Sequence, residues 1–216
     1  MITDDLKDAV WLTHPGGTAS IGGVAYTSAT MAQVSGDELT MQVAGNADPG
    51  PENYPCQMWY TKRPIYSQTG CTLEAKFRLS STALAAMNAI EVDGMYAMLC
   101  ADGQTRTFNG SAQWIPGIGW MIWSAAGKWV ATGYNPPYKP GKKNRVRFVH
   151  AWDLTANTMS VVSIDGFQVS SALQNVPAKV MGWAAGFVNV QVQPSSKPAG
   201  LPWAVWVKVK LVWGTA

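Results

Sequence analysis

Residues 145 to 153 alternate strictly. Val146, Phe148 and Trp152 fall on one face, and Arg145, Arg147 and Asp153 on the other. Successive side chains of a strand point to opposite faces, so this pattern predicts a half-buried strand. A polar turn, Leu154-Thr155-Ala156-Asn157, leads to a second strand over Thr158–Ile164. Asp165-Gly166 then returns the chain to a third strand at Phe167. An Asp-Gly pair between apolar runs favours a type I′ hairpin, because both residues tolerate positive φ. The stretch from Asn144 to Leu173 therefore reads as an antiparallel meander.

The same period recurs along the chain. Leu73, Ala75, Phe77 and Leu79 alternate with Glu74, Lys76 and Arg78 over 72–79. Val188, Val190 and Val192 alternate with Asn189, Gln191 and Gln193. The closing run Trp203–Trp213 sets Trp203, Val205, Val207, Val209, Leu211 and Trp213 against Trp206, Lys208 and Lys210. A strand this regular must lie inside a sheet, since an exposed edge of this kind would aggregate. Residues 95–101 are apolar on both faces and end at Asp102-Gly103, which predicts a central strand and a hairpin into 105–108. Residues 114–132 read as two strands with a turn at 125–128. Shorter strands are expected around 21–27, 39–44 and 57–62. One helix-like patch, alanine-rich, spans 80–90 with Ser81 or Thr82 as its N-cap. Residues 1–9 read as an N-terminal arm or short helix. About a dozen short strands with Gly and Pro turns predict an all-β fold, a two-sheet antiparallel β-sandwich or jelly roll, as one domain over 1–216.

Composition adds to this picture. Charged residues are only 13% of the chain, while there are eleven Trp. Trp is enriched at interfaces and ligand platforms, so low charge with many indoles predicts a surface covered by sister subunits or a ligand. The net charge of +3 is too mild for a nucleic-acid footprint; the one local cluster is Lys139, Lys142, Lys143, Arg145 and Arg147, read as a solvated loop entering a strand. Cys56, Cys71 and Cys100 allow a Cys56–Cys71 closure or three free thiols. No run is long and apolar enough for a membrane span. The acidic, polar start MITDDLKDAVW lacks a signal-peptide pattern; the context expected is a virion or an extracellular surface.

At pattern level the chain resembles the concanavalin A-like lectin/glucanase superfamily. The stretches that carry the resemblance are MYAMLCADGQTRTF (95–108), RVRFVHAWDLTANTMSVVSIDGFQV (145–169) and VWVKVKLVWG (205–214). The resemblance implies a lectin-like sandwich whose C-terminal strand pairs beside the N-terminal one. It does not by itself imply a function.

Glycanases of that superfamily carry carboxylates at i, i+2 and i+4 or i+5 on one strand, which places acid and nucleophile on one face. Glu91 and Asp93 are the only candidates here. Met95 and Tyr96 stand where the third acid would be, and Val92-Asp93-Gly94 reads as a turn. Ligand binding is assigned instead to Trp114, Trp120, Trp123, Trp129, Tyr134 and Tyr138, because sugar C–H faces stack on flat aromatics. Spacing sets a limit: Trp120 and Trp123 lie on opposite faces of one strand. His150 shares an apolar face with Phe148 and Trp152 and reads as a core histidine. Asp48 and Glu52, with Asn53, offer oxygen ligands in a loop that Pro49 and Pro51 bar from an EF-hand; the reading is a surface loop, with calcium as the alternative and no other cofactor.

The expected function is that of a non-catalytic, lectin-like subunit of a larger assembly, such as a phage or viral particle, working as a homo-oligomer. The alternative is a carbohydrate-binding module that uses exposed Trp and Tyr. A glycoside hydrolase stands third.

Overall fold

The strand at residues 70–79 shows how the alternation is used. Its odd-numbered side chains, Cys71 to Leu79, are almost wholly buried, while Lys76 and Arg78 on the even positions reach solvent. This arrangement comes from a computed structural model of the chain. It describes residues 67–181, 186–195 and 204–214 in full, together with 2, 3 and 65. Elsewhere it describes the backbone of the strands named below.

In chain order the first strands are β1 (Ile2–Asp4), β2 (Trp11–Pro15), β3 (Thr18–Ile21), β4 (Val24–Thr27), β5 (Met31–Ser35), β6 (Glu38–Val43) and β7 (Cys56–Tyr60). They are followed by β8 (Gly70–Leu79), a helix α1 (Ser81–Ala86), β9 (Met87–Leu99), β10 (Thr105–Ile115), β11 (Gly119–Trp123) and β12 (Trp129–Ala131). The meander supplies β13 (Lys143–Asp153), β14 (Thr158–Ile164) and β15 (Phe167–Gln168). Two short strands, β16 (Val176–Pro177) and β17 (Lys179–Val180), precede β18 (Phe187–Ser196) and β19 (Trp203–Trp213).

Two antiparallel sheets result. The first runs β15-β14-β13-β8-β19-β6-β5, with β1 paired to β19 and β16 to β14. The second runs β12-β11-β10-β9-β18, with β17 on β10. The ribbon of β2 and β7 adds to the second sheet's side, where β7 lies beside β18. β3 and β4 form a separate hairpin. The fold is thus the two-sheet antiparallel sandwich implied by the concanavalin A-like resemblance. The closing strand β19 lies inside its sheet, between β8 and β6, and it also meets the N-terminal strand β1.

The core lies between the sheets. Phe77, Val146, Phe148, Val207 and Leu211 from the first meet Val92, Tyr96, Phe108, Trp120 and Val190 from the second. Each large apolar side chain buried this way contributes roughly 1.5–3 kcal/mol, so the alternation itself specifies how the sheets pair. Asp165 (φ 53°) and Gly166 (φ 84°) make the expected type I′ hairpin between β14 and β15, a geometry that needs positive φ at both positions.

Four expectations are corrected. The helix stops at Ala86, and Ser80 is its N-cap, accepting from the Ala83 amide at 3.0 Å. From Met87 onward the chain is strand, because Met87, Ile90 and Val92 reach the core and pair with β18. Val92-Asp93-Gly94 is therefore the middle of β9 and not a turn. Part of the predicted N-terminal arm, Ile2–Asp4, is a strand on β19. The Cys56–Cys71 closure is not made either: Cys71 is a free, buried thiol, as is Cys100.

Candidate functional site

The alternation that fills the core from β9, β10 and β18 must place their other side chains on the outer face of the second sheet. On β9 these are Glu91, Asp93 and Met95. On β10 they are Thr107, Asn109, Ser111 and Gln113, and on β18 they are Asn189, Gln191 and Gln193. Register aligns them in rows. Gln191, Asp93 and Ser111 stand side by side, as do Gln193, Glu91 and Gln113, and Asn189, Met95 and Asn109.

This face is polar but scarcely exposed. Glu91 and Asp93 are each 8% exposed, and Asn189, Gln191, Gln193 and Thr107 are less so. Gln193 Nε2 donates to Asp93 Oδ2 at 2.8 Å and to Gln191 Oε1 at 3.0 Å. Several neighbouring oxygens, Asn109 Oδ1, Asn189 Oδ1, Gln193 Oε1 and Thr107 Oγ1, find no hydrogen-bond partner among the described residues. Buried polar atoms nearly always have partners, so a cluster of such atoms on one face marks a place built to meet hydroxyl or amide groups from outside.

The two carboxyl groups share this surface and couple electrostatically. Burial first, and then the charge of Asp93, pushes the Glu91 pKa up to about 10. Burial also raises Asp93, to about 6, against the hydrogen bonds from Ser111, Glu91 and Gln193 that favour its charged form. Two adjacent buried carboxyls cannot both ionise cheaply, so at neutral pH Glu91 carries the proton and Asp93 the charge.

A cleft of about 190 Å³ opens along β10. Glu91, Asn109 and Ser111 lie at its base, Trp123 and Trp129 form one side, and Val176, Pro177 and Lys179 form the other. The β11–β12 hairpin places the two indoles directly opposite each other, with ring centroids 5.5 Å apart and planes at 79°. Trp123 is 38% exposed and Trp129 half-buried. This volume is below the ~300 Å³ at which drug-sized pockets begin; it suits one sugar-sized ring.

The six aromatic candidates separate accordingly. Trp123 and Trp129 border the cleft, and Trp123 sits opposite in sense to Trp120, as the spacing required. Trp114 and Trp120 are corrected to the core, 5% and 0% exposed. Tyr138 packs on both, and its hydroxyl accepts from Trp120 Nε1 at 2.8 Å. Tyr134 stacks on Phe167 and donates to Asp165 Oδ2 at 3.1 Å, away from the cleft. Trp152, Trp206 and Trp213 are also buried. Four of the seven described indoles therefore fill the interior, and a fifth, Trp206, is covered by Lys143 and Arg78 on the outer face of the first sheet. Asp48 and Glu52 lie outside the described residues; among the described residues no group of three acidic, His or Cys side chains could hold a metal ion. The polar row on β10 and β18 has one trace in the sequence, the period-2 run Asn189, Gln191, Gln193.

No protein-family model matches the chain, and no curated protein matches it. Among solved structures it is similar to the Emp46p carbohydrate recognition domain in its potassium-bound form (12% identity, 87% of this chain and 88% of that one, TM-score 0.45). It is also similar to the endo-1,3-beta-glucanase from Streptomyces sioyaensis (12% identity, 98% and 95% covered, TM-score 0.43). A third is the alginate lyase vAL-1 from Chlorella virus (8% identity, 97% and 91% covered, TM-score 0.48). Likeness of this degree says nothing of activity.

Proposed function

We propose that the chain is a non-catalytic carbohydrate-binding sandwich that takes a neutral glycan on the outer face of its second sheet. One observation carries the reading: Thr107 and Asn109, whose side-chain oxygens are buried and unpartnered, line a ring-sized cleft together with a pair of Trp rings. Hydroxyl-rich ligands match both parts, by hydrogen bonding to the oxygens and stacking on the rings. A charged Asp93 on the same face disfavours anionic sugars.

The missing third acid supports binding over cleavage. Glu91 and Asp93 keep the i, i+2 spacing of a catalytic pair on one strand, but Met95 and Tyr96 stand where the third carboxylate would be.

Calorimetric titration against a panel of neutral β-glucan, mannan and galactan oligosaccharides tests the proposal. Binding of at least one, weakened about tenfold by Trp129→Ala (about 1.4 kcal/mol, within the range of one aromatic contact), supports it. Binding of none removes it. Release of reducing ends that Glu91→Gln abolishes would replace it with the hydrolase reading.

A further inference from the structure

The outer face of the first sheet has the opposite character. Its three central strands put their solvent-facing residues in register as a three-by-three grid. Lys143, Arg78 and Trp206 form one row, Arg145, Lys76 and Lys208 the next, and Arg147, Glu74 and Lys210 the third. Seven of the nine are cations, on a chain whose net charge is only +3.

Like charges placed directly opposite each other across strands destabilise a sheet, and the middle row consists of three. Glu74 is the one carboxylate in the grid. It serves Arg147 at 2.9 Å, Lys210 at 3.4 Å and Lys76 at 3.6 Å. The exposed Arg145 and Arg78 lie beyond that reach, Arg78 lying over the Trp206 ring. A groove of about 770 Å³ runs over this face. Arg145, Arg147 and Lys210 line it together with the carboxylates of Glu74 and Asp165 and the hydroxyls of Thr3, Thr72 and Ser163.

We infer that this groove is a second binding site, for a linear polyanionic polysaccharide bearing sulfate or carboxylate groups. Charge complementarity selects an anion. Cations repeating about 4.8 Å across strands and about 6.8 Å along them suit a chain with charges at intervals, more than a single small ion. The interleaved hydroxyls can meet a sugar backbone. Single-stranded nucleic acid is read on exposed aromatic platforms, and the indole here, Trp206, is only 6% exposed, beneath Lys143 and Arg78. An interfacial membrane site needs a protruding apolar face; the apolar side chains lining this groove, Val149 and Val212, stand among charged groups and hydroxyls.

The test titrates the full chain with a heparin decasaccharide and, separately, with a polygalacturonate oligomer, using a neutral dextran as control, between about 50 and 200 mM salt. The expected result is binding of one or both polyanions and not of dextran, with affinity falling steeply as salt rises. Which polyanion binds identifies the anionic group. Arg145→Gln combined with Lys76→Gln should weaken binding about tenfold or more and reduce the salt slope by about 2; Arg145→Gln alone gives a smaller loss in the same direction if the pair impairs folding. Trp129→Ala, on the other sheet, should leave polyanion binding unchanged, so this site and the neutral-glycan site succeed or fail separately. Failure of both polyanions to bind at the lowest salt would overturn the inference, as would unchanged binding by both variants. Tighter binding of duplex DNA or of phosphatidylserine vesicles than of either polysaccharide would also overturn it.

Discussion

Gly110 and His150 face each other across the core. A Cβ built on Gly110 would stand 2.9 Å from both Cε1 and Nε2 of the imidazole, and one on its cross-strand partner Gly94 would collide with the Tyr96 hydroxyl. The two glycines thus make the recess that His150 fills from the opposite sheet. Gly110→Ala should cost about 1–3 kcal/mol, the usual range for overpacking a well-filled core. A urea melt reads this as a lower midpoint with an unchanged m-value. A midpoint equal to wild type would show that the ring has room to move.

The same histidine makes the fold sensitive to acid. Its Nδ1 is 2.7 Å from the Tyr96 hydroxyl, which also accepts from the Cys71 thiol at 3.1 Å. Burial holds the imidazole neutral and lowers its pKa to about 3. In the unfolded chain it would titrate near 6.5, so between those values the unfolded state binds the extra proton and stability falls as pH drops. His150→Asn should lower stability at pH 7, where it loses packing, yet flatten the loss between about pH 6.5 and 4. Thermal melts of both proteins across that window provide the check; parallel curves would reject the assignment.

Glu91 and Asp93 work in the opposite direction. Both pKa values are raised by burial, so above about pH 4 the folded state holds a proton that the unfolded state has released. Stability therefore falls as pH rises, by up to about 1.4 kcal/mol per pH unit for each such proton. Glu91→Gln keeps the shape and removes this titration. It should be more stable than wild type at pH 8 and less sensitive to pH between 6 and 9. A variant that melts below wild type at pH 8 would mean that the carboxyl is ionised and paired.

The sandwich was legible because period-2 alternation is a local property: Val146, Phe148 and Trp152 declare their face without reference to any other strand. The site was less so. Glu91 and Asp93 were visible as a pair, but Gly94 after them suggested a turn. Only the cross-sheet packing of His150 explains why a glycine belongs in mid-strand there. Trp114 and Trp120 look the same in sequence as Trp123 and Trp129. What separates them is which face of β10 and β11 is covered, a fact that depends on Tyr138 arriving from a loop. The cation grid was likewise hidden, since its rows join residues from 74–78, 143–147 and 206–210 that only register brings together.

Glu74 offers a test in which stability and binding should move apart. Burial pushes its carboxyl pKa up, but the hydrogen bonds and charges of Arg147 and Lys210 more than reverse this, and the pKa ends below its ordinary 4.5. Its stabilising effect is therefore present above about pH 4.5 and is lost as pH falls through the lowered folded value. The cations around it are partly solvated, Arg147 being 49% exposed, so screening keeps the contribution small. Glu74→Gln should cost about 1 kcal/mol at low salt and less at high salt. Removing the grid's one negative charge should at the same time tighten heparin binding and steepen its salt dependence by about one. A lower melting temperature with tighter polyanion binding is the expected pair of results. Tighter binding would not follow if Glu74 were there to hold Arg147 in a binding posture, and a loss on both measures would identify that role instead.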